Sequence, residues 1–218
     1  MNNTAEDQQR IGNNLAILAV DLSECLKENI LGGGTSYEGF RGNFGKVEKV
    51  LGLGKLLECP IIATQCRKDD PVCDLVQRYI TEPEMILTPN KDKFCMKPGE
   101  GETNLGKLLE KLDVGALVVL GYHRDYCVLE TTKSAVKRGY NVITSKEIMF
   151  WRNFPIAVDM CRPDLDDHLR KLRNAFFEYY QSLPLYCETA EDVENLMKKF
   201  KDSKSEVEVA EKVQADNS

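Results

Sequence analysis

"ALVVLGYHRDYCVLETTKSAVKRGYNVIT", residues 116–144, decides the fold. It opens on the wholly apolar run "ALVVLG" (116–121), the pattern of a strand buried on both faces. "DYCVLETTKSAVKRG" (125–139) then reads as a helix. Gly139 closes it, since glycine enters the left-handed region at a C′ position without steric cost. "YNVIT" (140–144) starts the next strand. Strand, helix and strand in direct succession make a β-α-β unit, which requires parallel strands.

The same alternation runs outward in both directions. "NLAILAVDLS" (14–23) is an apolar strand ending in a carboxylate. "NFGKVEKVLGLGKLLE" (43–58) carries apolar residues at helical spacing, with Asn43 as its expected N-cap. "CPIIATQC" (59–66) is a second strand, and "DPVCDLVQRYI" (70–80) a helix with Asp70 as cap and Pro71 at its first position. "EMILTP" (84–89) gives a third strand and "TNLGKLLEKL" (103–112) an amphipathic helix. Beyond residue 144 we expect a helix over about 163–182, a strand in "LPLYCE", and a helix in "TAEDVENLMKKF". Thr189 and Asp192 form a capping box at the start of that last helix. The expected fold is therefore α/β, a three-layer α/β/α arrangement around a mostly parallel six-stranded sheet. One domain spans 12–200, between a flexible N-terminus at 1–11 and a disordered polar tail at 201–218.

Composition excludes some classes. The net charge is -6, with basic residues interspersed among acids, which argues against nucleic acid as a partner. No apolar run is long enough to span a bilayer, and the first residues lack a secretory pattern, so we expect a cytoplasmic protein. Eight cysteines without any C-x-x-C fit reduced thiols, most of them small buried hydrophobes.

Ligands in open α/β sheets bind beyond the carboxyl ends of the strands. Asp21 ends the first strand there, where a partly desolvated carboxylate can act as a base. Cys127 lies just past the fourth strand, in the first turn of a helix. The unpaired N–H groups and positive dipole end at that place stabilise a thiolate, and can hold an oxyanion when a carbonyl is attacked. Asp125 works against activation and Arg124 can offset it. Among the eight cysteines, only Cys127 has this position. The loop 88–102 offers Lys91, Lys93 and Lys97 as a cation, and spacing alone does not choose among them. A nucleophile, a base and a cation from three strand ends are the parts of an activated nucleophile.

The stretch "GYHRDYCVLETTKSAVKRGYNV" resembles the G-x-x-T-x-x-C-V-x-x-T-A-x-x-A-x-x-x-G-Y-x-V signature of the isochorismatase-like cysteine hydrolases, and "DYCV" is similar to the nicotinamidase branch. "LAVDLSE" resembles the family's L-x-x-x-D-x-Q first strand, and "NKDKFCMK" its K-x-R-Y-S-A-F. The resemblance implies a triad of Asp21, Lys91 and Cys127, selecting Lys91 over Lys93 and Lys97. It implies cleavage of a C–N bond in a small amide or urea through a thioester, and a homo-oligomer. It also implies a cis peptide at Tyr122–His123, with the amides of His123 and Cys127 as an oxyanion hole and Tyr122, His123 and Arg124 around the substrate. Nicotinamidases hold a metal through a D-x-H pair after the second strand; here "ATQCRKDDP" has no histidine, so we expect neither metal nor cofactor.

Other departures are Arg124 at the signature threonine, Cys95, Met96 and Lys97 at S-A-F, and Ser23 at the glutamine. They keep a second class open, a catalytically silent member that binds or scaffolds. A third is a redox-responsive thiol protein, suggested by cysteine abundance alone. Trp151, Phe150 and Phe154 are candidates for a pocket lining or a subunit interface, with ordinary packing as the competing reading.

Overall fold

The computed structural model describes residues 14–24, 38–65, 69–87, 104–122, 124, 126–150 and 174–216. Among them are the strands β1 (Asn14–Val20), β2 (Ile61–Thr64), β3 (Ile86–Leu87), β4 (Val114–Tyr122), β5 (Asn141–Ser145), β6 (Met149–Phe150) and β7 (Leu185–Cys187). The helices are α1 (Glu38–Leu56), α2 (Asp74–Gln77), α3 (Asn104–Lys111), α4 (Cys127–Lys137), α5 (174–181) and α6 (Ala190–Asp216). The sheet order is β3-β2-β1-β4-β5-β7, and β6 pairs with β4 beyond the end of β5. Every strand pair in it is parallel.

Alternate residues of the central strands feed two separate cores, because successive side chains point to opposite faces. Leu15, Ile17, Ala19, Val118 and Leu120 pack with Val47, Val50 and Leu51 of α1 and with Val193 and Met197 of α6. Ala16, Leu18, Val20, Leu117 and Val119 pack with Leu105 and Leu109 of α3, with α4, and with Tyr180 of α5. Three layers result, as the apolar strands predict. Phe150 belongs to the first core, with its ring 4.8 Å from that of Phe44, so packing is its role. Trp151, Phe154 and the N-terminal segment 1–11 lie outside the described residues.

Two helix ends follow the sequence closely. Gly139 has φ 82°, its N–H donates to Val136 O (2.9 Å), and Tyr140 N donates to Ala135 O (3.1 Å), a Schellman closure of α4. At α6, Asp192 N donates to Thr189 Oγ1 (3.1 Å) and Thr189 N donates to Asp192 Oδ2 (3.0 Å), which is the capping box. The polar stretch after residue 200 continues α6 to Asp216, where a disordered tail is the expectation; its Glu, Lys and Ala are good helix formers.

Three local expectations are corrected. Asn43 lies inside α1, which already begins at Glu38. Asp70 does not cap a helix over 70–80. Residues 71–73 instead run extended beside residues 22–24, with Cys73 N donating to Leu22 O (2.9 Å) and Glu24 N to Pro71 O (3.0 Å). The helix starts only at Asp74, whose amide donates to the Glu24 carboxylate. A non-local pairing thus takes the backbone groups that a local cap would have used. The short strand β6 is a seventh strand where six are expected.

Glu147, in the turn after β5, ties three elements. Its Oε2 accepts from the amide of Ala190, the first residue of α6 (2.9 Å), and its Oε1 from Lys46 Nζ on α1 (2.5 Å). The Lys46 bond, then the Ala190 amide, hold its carboxyl below the ordinary 4.5. A lowered carboxyl adds stability above its ordinary range, and that stability is lost as pH falls through the lowered value. Glu147→Gln should therefore lower Tm by about 1–3 °C at pH 7, a gap that closes in calorimetry as pH falls through the lowered carboxyl value.

The centre of the sheet is pinched at its carboxyl end. Val20 and Gly121 are register partners, and Gly121 has φ 143°. A Cβ at Gly121 would lie 2.1 Å from Val20 O and 2.8 Å from Val20 N, so a side chain there would force β1 and β4 apart. Gly121→Ala should cost more than about 3 kcal/mol in chemical denaturation, from strain plus backbone displacement. Gly45→Ala, on an open face of α1, should instead stabilise by up to about 1 kcal/mol.

Candidate active site

Asp21 is the residue after β1, and only 3% of it is exposed. Its backbone turns into the left-handed region at φ 52°, which ends the strand and sets the carboxylate at the sheet's edge. Two contacts to the end of β2 fix it: Asp21 N donates to Thr64 O (3.0 Å), and Thr64 Oγ1 donates to Asp21 Oδ1 (3.1 Å). Thr64 is itself buried, at 2%.

Cys127 is the first residue of α4 and is 7% exposed. The chain reaches it from β4 through a turn pinned at several points. Gly121 N donates to Ile148 O (3.1 Å) and Arg124 N to Phe150 O (2.9 Å), so β6 holds the outer edge of the turn. The Tyr180 hydroxyl of α5 donates to Arg124 O (2.7 Å) from the second core. Tyr126 at the N-cap offers no side-chain cap and is 69% exposed beside the thiol. Cys127 is thus set at the N-terminal end of α4, the positive end of the helix dipole.

The remaining expected site residues divide. Half-buried Tyr122 is the last residue of β4 and faces Phe150 in the register of β6. Arg124 is buried, and its guanidinium carbon lies 5.9 Å from the centre of the Phe177 ring on α5. Phe177 in turn meets Tyr186 of β7 edge-on at 6.3 Å. The side chain at the signature threonine position thus packs onto α5, while its amide is engaged by β6. Lys91, His123 and Asp125, with the Tyr122–His123 peptide bond and the alternatives Lys93 and Lys97, lie outside the described residues. Sequence reading missed Thr64, because its hydroxyl meets Asp21 only through the pairing of β1 with β2.

Cys59, Cys73, Cys127 and Cys187 are buried thiols that form no disulfide. Burial pushes the Cys59 thiol up. Burial, with Asp192 nearby, pushes Cys187 up to about 11. Neither is suited to act as a thiolate near neutral pH. Among the described residues, no group of three or more His, Cys, Asp or Glu is placed to hold a metal, and no helix is long and apolar enough to cross a membrane.

Known proteins share this architecture. Residues 61–147, from β2 to the turn after β5, match the family model of the isochorismatase domain. No curated protein matches the sequence. Solved structures do. An isochorismatase-like hydrolase from Alkaliphilus metalliredigens superposes with a TM-score of 0.57 at 15% identity, covering 86% of this chain and 99% of that one. The nicotinamidase SaPncA from Staphylococcus aureus gives 0.55 at 16% identity, covering 81% and 98%. The MAR1 ribonuclease from Caenorhabditis elegans gives 0.55 at 18% identity, covering 84% and 80%. At these identities the likeness is one of architecture: the chain has the isochorismatase-like α/β fold, a mostly parallel sheet flanked by helices on both faces.

Proposed function

We propose that the protein is a metal-independent cysteine hydrolase that cleaves the C–N bond of a small amide- or urea-like substrate. One observation carries this reading. Two buried reactive groups, Asp21 and Cys127, follow the carboxyl ends of the paired strands β1 and β4, and Cys127 starts a helix. In the proposed reaction Asp21 takes the thiol proton as Cys127 Sγ bonds to the carbonyl carbon. The amides of His123 and Cys127 receive the oxyanion, Lys91 stabilises the developing charge, and Tyr122 and Arg124 form the turn that borders the substrate. The C–N bond breaks as the proton passes from Asp21 to the leaving nitrogen. Asp21 then takes a proton from water, whose oxygen attacks the thioester, and the thiol is regenerated as the acid leaves.

The match to the isochorismatase domain model supports this reading, and so does a fold relative that is a nicotinamidase. Another fold relative is named a ribonuclease. For this chain the net charge of -6 favours a small substrate over a phosphate backbone.

A panel of small amides and ureas, assayed by release of ammonia or amine, tests the reaction. Cys127→Ala should reduce hydrolysis of any substrate found by at least about 10³-fold, the scale on which loss of a nucleophile acts. Hydrolysis that survives in Cys127→Ala would remove the covalent mechanism. A second measurement needs no substrate. Under iodoacetamide at pH 7.5, peptide mass mapping should show Cys127 labelled at least about tenfold faster than Cys59 and Cys187, whose thiols burial holds protonated.

A further inference from the structure

Thr64 stands out among the buried polar residues outside the expected triad. It closes β2 as the register partner of Val20, so it lies one step from Asp21, the residue that follows β1. Its hydroxyl makes two bonds to one residue. It accepts from Asp21 N at 3.3 Å and donates its single proton to Asp21 Oδ1 at 3.1 Å. The Thr64 carbonyl also accepts from Asp21 N at 3.0 Å. Asp21 is therefore gripped from one neighbouring residue at both its amide and its carboxylate.

Rigidity adds to this. Thr64 is β-branched and 2% exposed, which restricts its rotamer, so the hydroxyl is aimed by the strand rather than by a mobile side chain. Asp21 has the opposite need. Its backbone sits at φ 52°, a conformation that persists only where neighbours over-determine it. A donated hydrogen bond to one carboxylate oxygen fixes the plane of the group and hence the direction of the other oxygen.

We propose that Thr64 is a positioning residue for Asp21, holding the carboxylate in the orientation that takes the Cys127 proton. The proposal rests on the Asp21–Cys127 chemistry above and adds a residue on a third strand end. Thr64 touches neither the substrate nor the thiol in this scheme, and acts only through Asp21.

The test is the second-order rate of Cys127 alkylation by iodoacetamide at pH 7.5, read by peptide mass mapping. Wild type is compared with Asp21→Asn, Thr64→Val, Thr64→Ser and the Asp21→Asn/Thr64→Val double variant, with thermal melts alongside. Thr64→Val should slow Cys127 by at least about tenfold, the scale of one hydrogen bond to a charged group. Thr64→Ser, which keeps the hydroxyl, should stay within about twofold of wild type, and Thr64→Val should add nothing once Asp21 is Asn. A slowed Asp21→Asn beside an unchanged Thr64→Val overturns the positioning role and leaves the Asp21 reading intact. Additive slowing in the double variant also overturns it, since Thr64 would then act independently of Asp21. An unchanged Asp21→Asn overturns the Asp21–Cys127 reading itself, and the role of Thr64 with it. If Thr64→Val does not fold, Thr64→Ala against Thr64→Ser supplies the same contrast.

Discussion

The close approach of β1 and β4 at Val20 and Gly121 is the constraint on which the rest of the molecule depends. A residue with a Cβ cannot occupy position 121 while β1 keeps its place, since the Val20 carbonyl already fills that volume. The approach brings two strand ends side by side and sends the chain beyond each in a different direction. After Val20 the backbone turns left-handed into Asp21; Gly121 and Tyr122 pair with β6, and the chain beyond leads to α4. The candidate base and the candidate nucleophile are thus set by backbone geometry before any side-chain preference acts.

Placing reactive groups at that depth has a physical cost. A carboxylate that is 3% exposed has lost most of its water, and only hydrogen bonds or charge can replace it. Thr64 supplies one such bond, from a strand that is itself held on both sides by β1 and β3. The thiol is treated differently. It is set at a helix terminus, a feature made wholly by the backbone. The turn leading to it is fastened to Phe150 and Tyr180 instead of being left as an open loop. Both arrangements draw on neighbouring elements, so the site is a property of the assembled sheet and of no single segment.

How much of this was legible in the sequence depends on the range of the interaction. Wholly apolar runs announced the central strands, because strands covered on both faces have no polar side. Gly139 and the Thr189–Asp192 box announced their helix ends because every group involved lies within a few residues. Cys127 was legible for the same reason, as a strand-to-helix turn is local. Asp70 misled because the backbone at 71–73 pairs with residues 22–24, an antiparallel contact that no local spacing contains. Thr64 was invisible as a site residue on the same grounds, since 43 positions separate it from Asp21. Arg124 was visible as a departure from the signature, but its packing onto Phe177 depends on a helix 50 residues further along the chain.

The register of β1 against β4 also governs the order in which the chain can become a folded protein. Asn14 pairs with Val114, so β1 leaves the ribosome 100 residues before its principal neighbour exists. At about 5–20 residues per second, that is roughly 5–20 s during which one edge of an apolar strand has no native partner. β2 arrives earlier and can cover the other edge. The centre of the sheet forms only when β4 pairs with β1, a long-range parallel pairing of the kind that folds slowly, and β5 and β7 add after it. The strand that leads to the candidate base is therefore exposed to aggregation in the nascent chain, and its safety during synthesis depends on how quickly β4 follows.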